Sequence, residues 1–227
     1  MSILFATPCY GGQMMVPFVQ SMMGMLDVAR NVGLSCDWYL MSNESLIQRA
    51  RNNIAAYFLW DTDFECLMFI DSDIEFTAED VSKLWNLTYE QGADVAVGTY
   101  AMKKPEKDLY AGWVDGKIVD IEELDGITAL DYAGTGFMMI KREVLRRMYD
   151  EWPERRHEEG ETTKAFAWFD PRVVDQGAGS FYASEDYSFC LDARSMGYKI
   201  LCDPSIRLAH YGLYAYGKTK TVTEVAS

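Results

Sequence analysis

The chain has 227 residues, 49% apolar and 25% charged, which suits one globular α/β domain with a sizeable buried core. Its formal net charge of −14 repels phosphate backbones and anionic membranes, and its basic residues form only short runs (Arg49/Arg51, Lys103/Lys104, Arg146/Arg147, Arg155/Arg156), so nucleic acid is disfavoured as a partner. No apolar run approaches the roughly 20 residues of a membrane span, and Met1–Ala6 lacks the basic-then-apolar pattern of a secretory leader, so neither is expected.

In chain order, Ile3–Thr7 reads as a short apolar strand that ends in the turn Pro8-Cys9-Tyr10-Gly11-Gly12. A helix follows over Gln13–Asn31, stopped by Gly33, then a strand over Asp37–Met41. Ser42 to Ser45 offer capping oxygens to a helix over Glu44–Trp60, whose apolar face carries Leu46, Ala50, Ile54, Tyr57 and Phe58. Cys66–Ile70 is a buried strand, Thr77 to about Gln91 a helix, and Asp94–Tyr100 a fourth strand. Strands separated by helices imply a mostly parallel sheet with helices on both faces. Beyond residue 100 the pattern is mixed. Leu109–Val114 and Lys117–Ile121 flank the hairpin signal Asp115-Gly116, and Leu130–Ile140 reads as a strand interrupted by Gly134 and Gly136. Arg142–Trp152 is a helix, 153–181 a long loop or flap, Glu185–Met196 a helix and Lys199–Cys202 a strand, after which Asp203-Pro204 turns the chain toward His210. The five cysteines, Cys9, Cys36, Cys66, Cys190 and Cys202, are scattered and form no C-x-x-C pair. They read as reduced core residues, which points to a cytoplasmic setting.

The strongest chemical signal is Cys66-Leu67-Met68-Phe69-Ile70-Asp71-Ser72-Asp73, an apolar strand ending in two carboxylates. In extended chain, residues i and i+2 point to the same side, so Asp71 and Asp73 are expected to converge at the carboxyl end of a central strand, where open α/β sheets bind ligands. Their repulsion, about 1–4 kcal/mol at 4 Å depending on dielectric, is relieved by a divalent cation; oxygen ligands suit Mg²⁺ or Mn²⁺. The alternative is that both are solvated loop acids or helix caps.

This segment resembles the D-x-D strand of family 2 and related GT-A glycosyltransferases, and further segments agree in chain order. Ala6-Thr7-Pro8-Cys9-Tyr10 is similar to the first-strand nucleotide loop, and Ala50-Arg51-Asn52 to a helix segment near the donor. Ala133-Gly134-Thr135-Gly136-Phe137 is similar to the glycine-containing strand beside the sugar, Ser184-Glu185-Asp186-Tyr187 to the acidic E-D motif that supplies the base, and Leu208-Ala209-His210-Tyr211-Gly212 to a late metal-binding segment. The resemblance spans residues 3 to 212. It implies an α/β fold with a single GT-A (nucleotide-diphospho-sugar transferase) domain over 1–227, about 1–100 binding the nucleotide-sugar and about 101–227 carrying acceptor and catalytic contacts. The implied activity is metal-dependent and inverting: transfer of a sugar from a UDP- or GDP-linked donor to a hydroxyl acceptor, a glycan being the expected class. Thr7, Pro8, Cys9, Tyr10, Arg51, Asp71, Ser72, Asp73, Gly134, Thr135 and Gly136 are the implied donor contacts, Asp71, Asp73 and His210 the implied ligands of Mn²⁺ or Mg²⁺, and Asp186 the implied base, with Glu185 beside it.

Each residue has a plainer reading. Tyr10 stacks on a base or is a surface aromatic. Arg51 reaches an anion or base, or forms an internal salt bridge, while Arg49 lies on the far side of its helix. Gly134 and Gly136 allow close ligand approach or mark a bulge. Glu185 and Asp186 act in catalysis or meet a helix dipole. His210 is a ligand or structural, and His157 sits in a charged, solvated run. Tyr211, Tyr214 and Tyr216 form a lid or a packed tail. Two other functions share the broad pattern: a nucleotidyltransferase, disfavoured because Pro8 to Gln13 carries no Lys or Arg, and a non-catalytic nucleotide- or sugar-binding module, disfavoured by retention of Asp71, Asp73, Glu185, Asp186 and His210 together.

Overall fold

A computed structural model describes residues 2–103, 111–121, 124–159, 162–175, 179–212 and 215–216. Lys104, Tyr214 and residues 109–110 at the start of the expected hairpin lie outside the described residues. The elements are β1 (Ser2–Cys9), α1 (Val16–Val32), β2 (Ser35–Ser42), α2 (Ile47–Asp61), β3 (Cys66–Ile70), β4 (Ile74–Glu75), α3 (Ala78–Tyr89), β5 (Val95–Tyr100), β6 (Ala111–Val114) and β7 (Lys117–Asp120). They continue with β8 (Thr128–Ala129), β9 (Phe137–Lys141), α4 (Arg142–Glu151), β10 (Arg156–Glu159), β11 (Thr162–Phe166), β12 (Arg172–Asp175), β13 (Ser180–Ala183), α5 (Glu185–Ser195), β14 (Ile200–Tyr211) and β15 (Ala215–Tyr216). The expected mostly parallel α/β sheet is present, in the order β15-β14-β5-β9-β3-β1-β2, with β4 and β8 paired to β14. β9 alone among the central strands runs against its neighbours β3 and β5.

Strand alternation divides the core between the two faces of the sheet. Leu67 and Phe69 of β3 face a cluster built with Ile54 and Phe58 of α2, Val144 and Leu145 of α4, and Phe189 of α5. Cys66, Met68 and Ile70 face the opposite cluster, with Phe18 and Met25 of α1 and Val81 and Leu84 of α3. Local signals set the boundaries. Thr77 and Asp80 close a reciprocal capping box at the start of α3. Asp115 and Gly116 both adopt positive φ, 50° and 71°, as a two-residue hairpin turn requires. Every cysteine is free, and burial pushes the thiols of Cys66 up to about 11 and of Cys190 and Cys202 up to about 12.

Four expectations are corrected. First, α2 starts at Ile47 rather than Glu44, because the Glu44 carboxylate accepts from the Leu46 N–H at 3.0 Å and pairs with Arg49. Second, Leu130–Ile140 is not one interrupted strand: only β9, from Phe137, is a full strand there. Third, the expected loop over 153–181 holds two antiparallel hairpins, β10–β11 and β12–β13. They are docked by polar anchors that show no periodicity: the Trp60 indole donates to the Lys164 carbonyl, and Asn52 Oδ1 accepts from the Phe169 N–H. Fourth, Asp203-Pro204 does not end the strand. β14 continues through a register shift between Cys202 and Arg207, and its second half carries His210.

Asp192 of α5 is 5% exposed and takes bidentate hydrogen bonds from both Arg155 and Arg172, clamping the hairpin region onto the helix that presents Glu185 and Asp186. Asp192→Ala leaves two guanidiniums without their carboxylate and is expected to cost about 2–3 kcal/mol, below the usual buried-pair loss because the arginines retain some water. Urea denaturation measures it; a change under about 0.5 kcal/mol, the scale of an ordinary surface substitution, would contradict the clamp.

Candidate functional site

The carboxyl ends of β1, β2, β3 and β5, the second half of β14 and, because it is antiparallel, the start of β9 meet at one edge of the sheet. Parity places Asp71 on the same face as Leu67 and Phe69, toward α2 and α5. There Arg51, 3% exposed, donates from Nη2 to Asp71 Oδ1 at 3.0 Å, lies over the Phe69 ring at 5.3 Å, and brings Nε within 3.7 Å of Glu185 Oε1. Burial opposes the Arg51 charge, but Asp71 and Glu185 outweigh it and raise its pKa. Glu185 is raised in turn, first by burial, then by repulsion from Asp186, against the pull of Arg51.

The chain does not stay extended after Asp71. The Ile74 N–H closes a turn on the Asp71 carbonyl at 3.2 Å, and the Tyr211 N–H bonds the Asp73 carbonyl at 2.8 Å. The reasoning that i and i+2 share a side therefore fails, and the two carboxylates have separate partners. Asp73 Oδ2 is 2.6 Å from Lys103 Nζ, and Oδ1 is 3.3 Å from His210 Nε2. Burial alone would raise the Asp73 carboxyl; His210 and Lys103 outweigh it and hold it below the usual carboxylate range. The His210 Nδ1 lies 3.0 Å from the Ala101 carbonyl. A carbonyl only accepts, so Nδ1 carries a hydrogen and a neutral ring turns its Nε2 lone pair at the Asp73 carboxylate. That contact is repulsive unless a proton or a cation lies between. A carboxylate facing a histidine fixed through its other nitrogen is a donor set that suits a divalent cation. Among the described residues no group of three or more histidine, cysteine or acidic side chains forms a cation cage, and Asp71 is turned to Arg51.

Other expected site residues fall in four places. Pro8, Cys9 and Tyr10 line a cleft of about 180 Å³ with Met41, Glu44, Ser45, Ile47 and Ala50, and Tyr10 is 74% exposed at its mouth. Thr7 is fully buried and its hydroxyl accepts from the Trp38 indole, so the structure does not bring it into the cleft. Ser72 accepts the Met15 N–H through its carbonyl, fixing the turn between the two aspartates to the segment before α1. Gly134 and Gly136 make room for a side chain: a Cβ on Gly134 would stand 2.1 Å from the Tyr100 hydroxyl, and one on Gly136 2.8 Å from the Tyr100 ring. The Thr135 hydroxyl is buried with no hydrogen-bond partner among the described residues.

A second cavity of about 200 Å³ is bordered by Tyr100, Met102, Ile118, Gly134, Asp186 and Tyr187. Asp186 Oδ1 accepts from the Ser184 hydroxyl and from the Tyr187 N–H at 2.8 Å, which fixes the carboxyl group. Oδ2 accepts no hydrogen bond among the described residues and lies 3.6 Å from where a Gly134 Cβ would stand. Tyr211 donates to Glu75, and His157 is exposed on β10.

Sequence reasoning missed Tyr100, read Lys103 only as part of a basic run, and read Glu44 only as a cap. The signal for the first two was position: both sit at or just past the carboxyl end of a parallel strand. Tyr100 packs edge-on against His210 at 5.2 Å and receives the Gly136 N–H. Burial, with Asp71 and Asp186 nearby, raises its pKa far above the usual phenol range, so it stays neutral.

No protein-family model matches the chain, and no curated protein matches it significantly. Among solved structures, A197 from STIV matches with a TM-score of 0.58 at 19% identity, over 100% of this chain and 99% of that one. GalNAc-T7, solved with UDP, GalNAc and Mn²⁺, matches with a TM-score of 0.54 at 12% identity, over 100% of this chain and 46% of that one. The chain therefore shares the α/β fold of these two proteins, and it spans under half the length of GalNAc-T7. No helix among the described residues is long and apolar enough to cross a membrane.

The raised Glu185 sets a pH dependence. A carboxyl whose folded pKa lies above its unfolded one binds more protons when folded, so stability is greatest below the unfolded value and is lost as pH rises through the folded one. Glu185→Gln should thus melt higher than the parent at neutral pH, and the advantage should vanish below about pH 4. Melting curves of both proteins from pH 3.5 to 8 test this; a mutant less stable at neutral pH contradicts it.

Proposed function

We propose that the chain is a glycosyltransferase that moves a sugar from a nucleoside diphosphate donor to a hydroxyl acceptor. The observation that supports this best is the spacing along one sheet edge. The Tyr10–Glu44 cleft lies at the ends of β1 and β2, the Asp73–His210 pair lies beyond β3 at β14, and the cavity beside Asp186 lies at β5 and β9. A nucleotide has an aromatic and polar cleft at one end, and an acceptor has a fixed carboxylate further along the edge. In this reading residues 1 to about 100 supply most donor contacts, with UDP or GDP the expected carrier, and about 101 to 227 act on the acceptor, a glycan being the class implied by the resemblance.

Asp73 and His210 would hold Mn²⁺ or Mg²⁺; two protein ligands leave the rest of the shell to phosphate and water oxygens. When bound, such a cation neutralises charge on the departing diphosphate. The chain's own residues do the rest. Asp186, oriented by Ser184 and the Tyr187 N–H, takes the proton from the acceptor hydroxyl. That oxygen bonds to the anomeric carbon as the bond from this carbon to the diphosphate oxygen breaks, with inversion. Arg51 aligns Asp71 and Glu185, so its part is to shape the donor end rather than to touch phosphate.

Asp186→Asn preserves size and removes basicity. It should lower turnover by about 100-fold or more, the scale of general-base catalysis, with donor affinity unchanged by calorimetry. Steady-state transfer assays settle the point; full turnover in Asp186→Asn contradicts the assignment.

A further inference from the structure

Each aspartate of the Asp71-Ser72-Asp73 run has its own cation. Asp71 is answered by Arg51, which is buried and fixed. Asp73 is answered by Lys103, which is neither: the lysine side chain is 40% exposed, and among the described residues Asp73 is the sole acceptor for its Nζ. Lys103 sits just past β5, three residues beyond Tyr100. Its ammonium takes Asp73 Oδ2 at 2.6 Å while His210 Nε2 faces Oδ1 at 3.3 Å. The ammonium thus holds the carboxylate that the proposed function assigns to a divalent cation. A lysine ammonium is a compact, hydrated charge on a flexible stem, suited to leaving one partner for water.

We propose that Lys103 is an internal counter-cation for Asp73, which a divalent cation must displace, so that Lys103 sets the cation affinity of the site. The inference rests on the reading of Asp73 and His210 as cation ligands. The exchange is one of charges: a doubly charged ion enters, a singly charged ammonium moves out to solvent, no covalent bond changes, and any proton lying between His210 Nε2 and Asp73 passes to water. Before the exchange Asp73 is neutralised; after it the site carries surplus positive charge, which an anionic diphosphate answers. Cation and donor binding should therefore support each other.

The test is titration of Mn²⁺ alone, by calorimetry and by the spin-resonance signal of the free ion, on the parent, K103M, K103R, D73N and the K103M/D73N pair. Losing an exposed ion-pair competitor should tighten Mn²⁺ binding in K103M by about three- to fivefold at low salt, with the gain shrinking as salt rises. K103R keeps the charge and should stay within about twofold of the parent. Adding D73N should abolish the gain. Equal affinity in parent and K103M, with binding lost in D73N, overturns the role of Lys103 and leaves the cation site standing. Binding in none of the proteins, or binding indifferent to D73N, overturns the cation site and this inference with it.

Discussion

Arg51 keeps its charge while α2 carries it, 3% exposed, into the protein interior, and an unpaired cation in such a place would cost on the order of several kcal/mol. A carboxylate must come to it, and two do. Asp71 does so because strand parity turns it onto the face that α2 covers, and Glu185 because α5 begins beside the same edge. Three elements distant in sequence are thereby fixed in one register. Among the described residues the guanidinium still has Nε and Nη1 without hydrogen bonds, so the pairing is incomplete. Glu185 is raised by its burial even with Arg51 at hand.

From this anchor the rest of the edge follows. With Asp71 held inward, the turn that closes on its carbonyl carries Asp73 to the other side, where β14 presents His210 and the chain after β5 presents Lys103. Tyr100 fills the space between, against two glycines that a Cβ would close. Asp186, next to Glu185, is left facing a cavity with one oxygen pinned and the other clear of hydrogen bonds among the described residues. One acid is thus spent on structure, one is matched by an exposed lysine and one faces a cavity. That division of roles favours group transfer over a binding module, which would not require an oriented carboxylate at a separate cavity.

Much of the fold could be read from local patterns. Cys66–Ile70 was legible because five buried residues end in acids, α3 because Thr77 and Asp80 form a reciprocal cap, and the β6–β7 turn because Asp115-Gly116 accepts positive φ. What was not legible depends on contacts remote in sequence. The hairpins over 156–183 are held by Trp60, Asn52 and the Asp192 clamp, none of which leaves a period in the segment itself. The continuation of β14 past Asp203-Pro204 depends on pairing with β5. In the site, the internal salt bridge of Arg51 was one of two sequence readings, and the other partnerships were not foreseen. Arg51 turned out to be an internal ion pair, the glycines accommodate Tyr100, Thr7 is tied to Trp38, and Lys103 gained a role only when the fold set it against Asp73.

The most direct measurement is release of nucleoside diphosphate from a panel of UDP- and GDP-sugars, with Mn²⁺ present, by the parent and by Asp73→Ala. A nucleotide-sugar transfer site at this edge requires that the parent release diphosphate from at least one donor and that Asp73→Ala, still folded by circular dichroism, does not. Release from no donor, or equal release by both proteins, would contradict it.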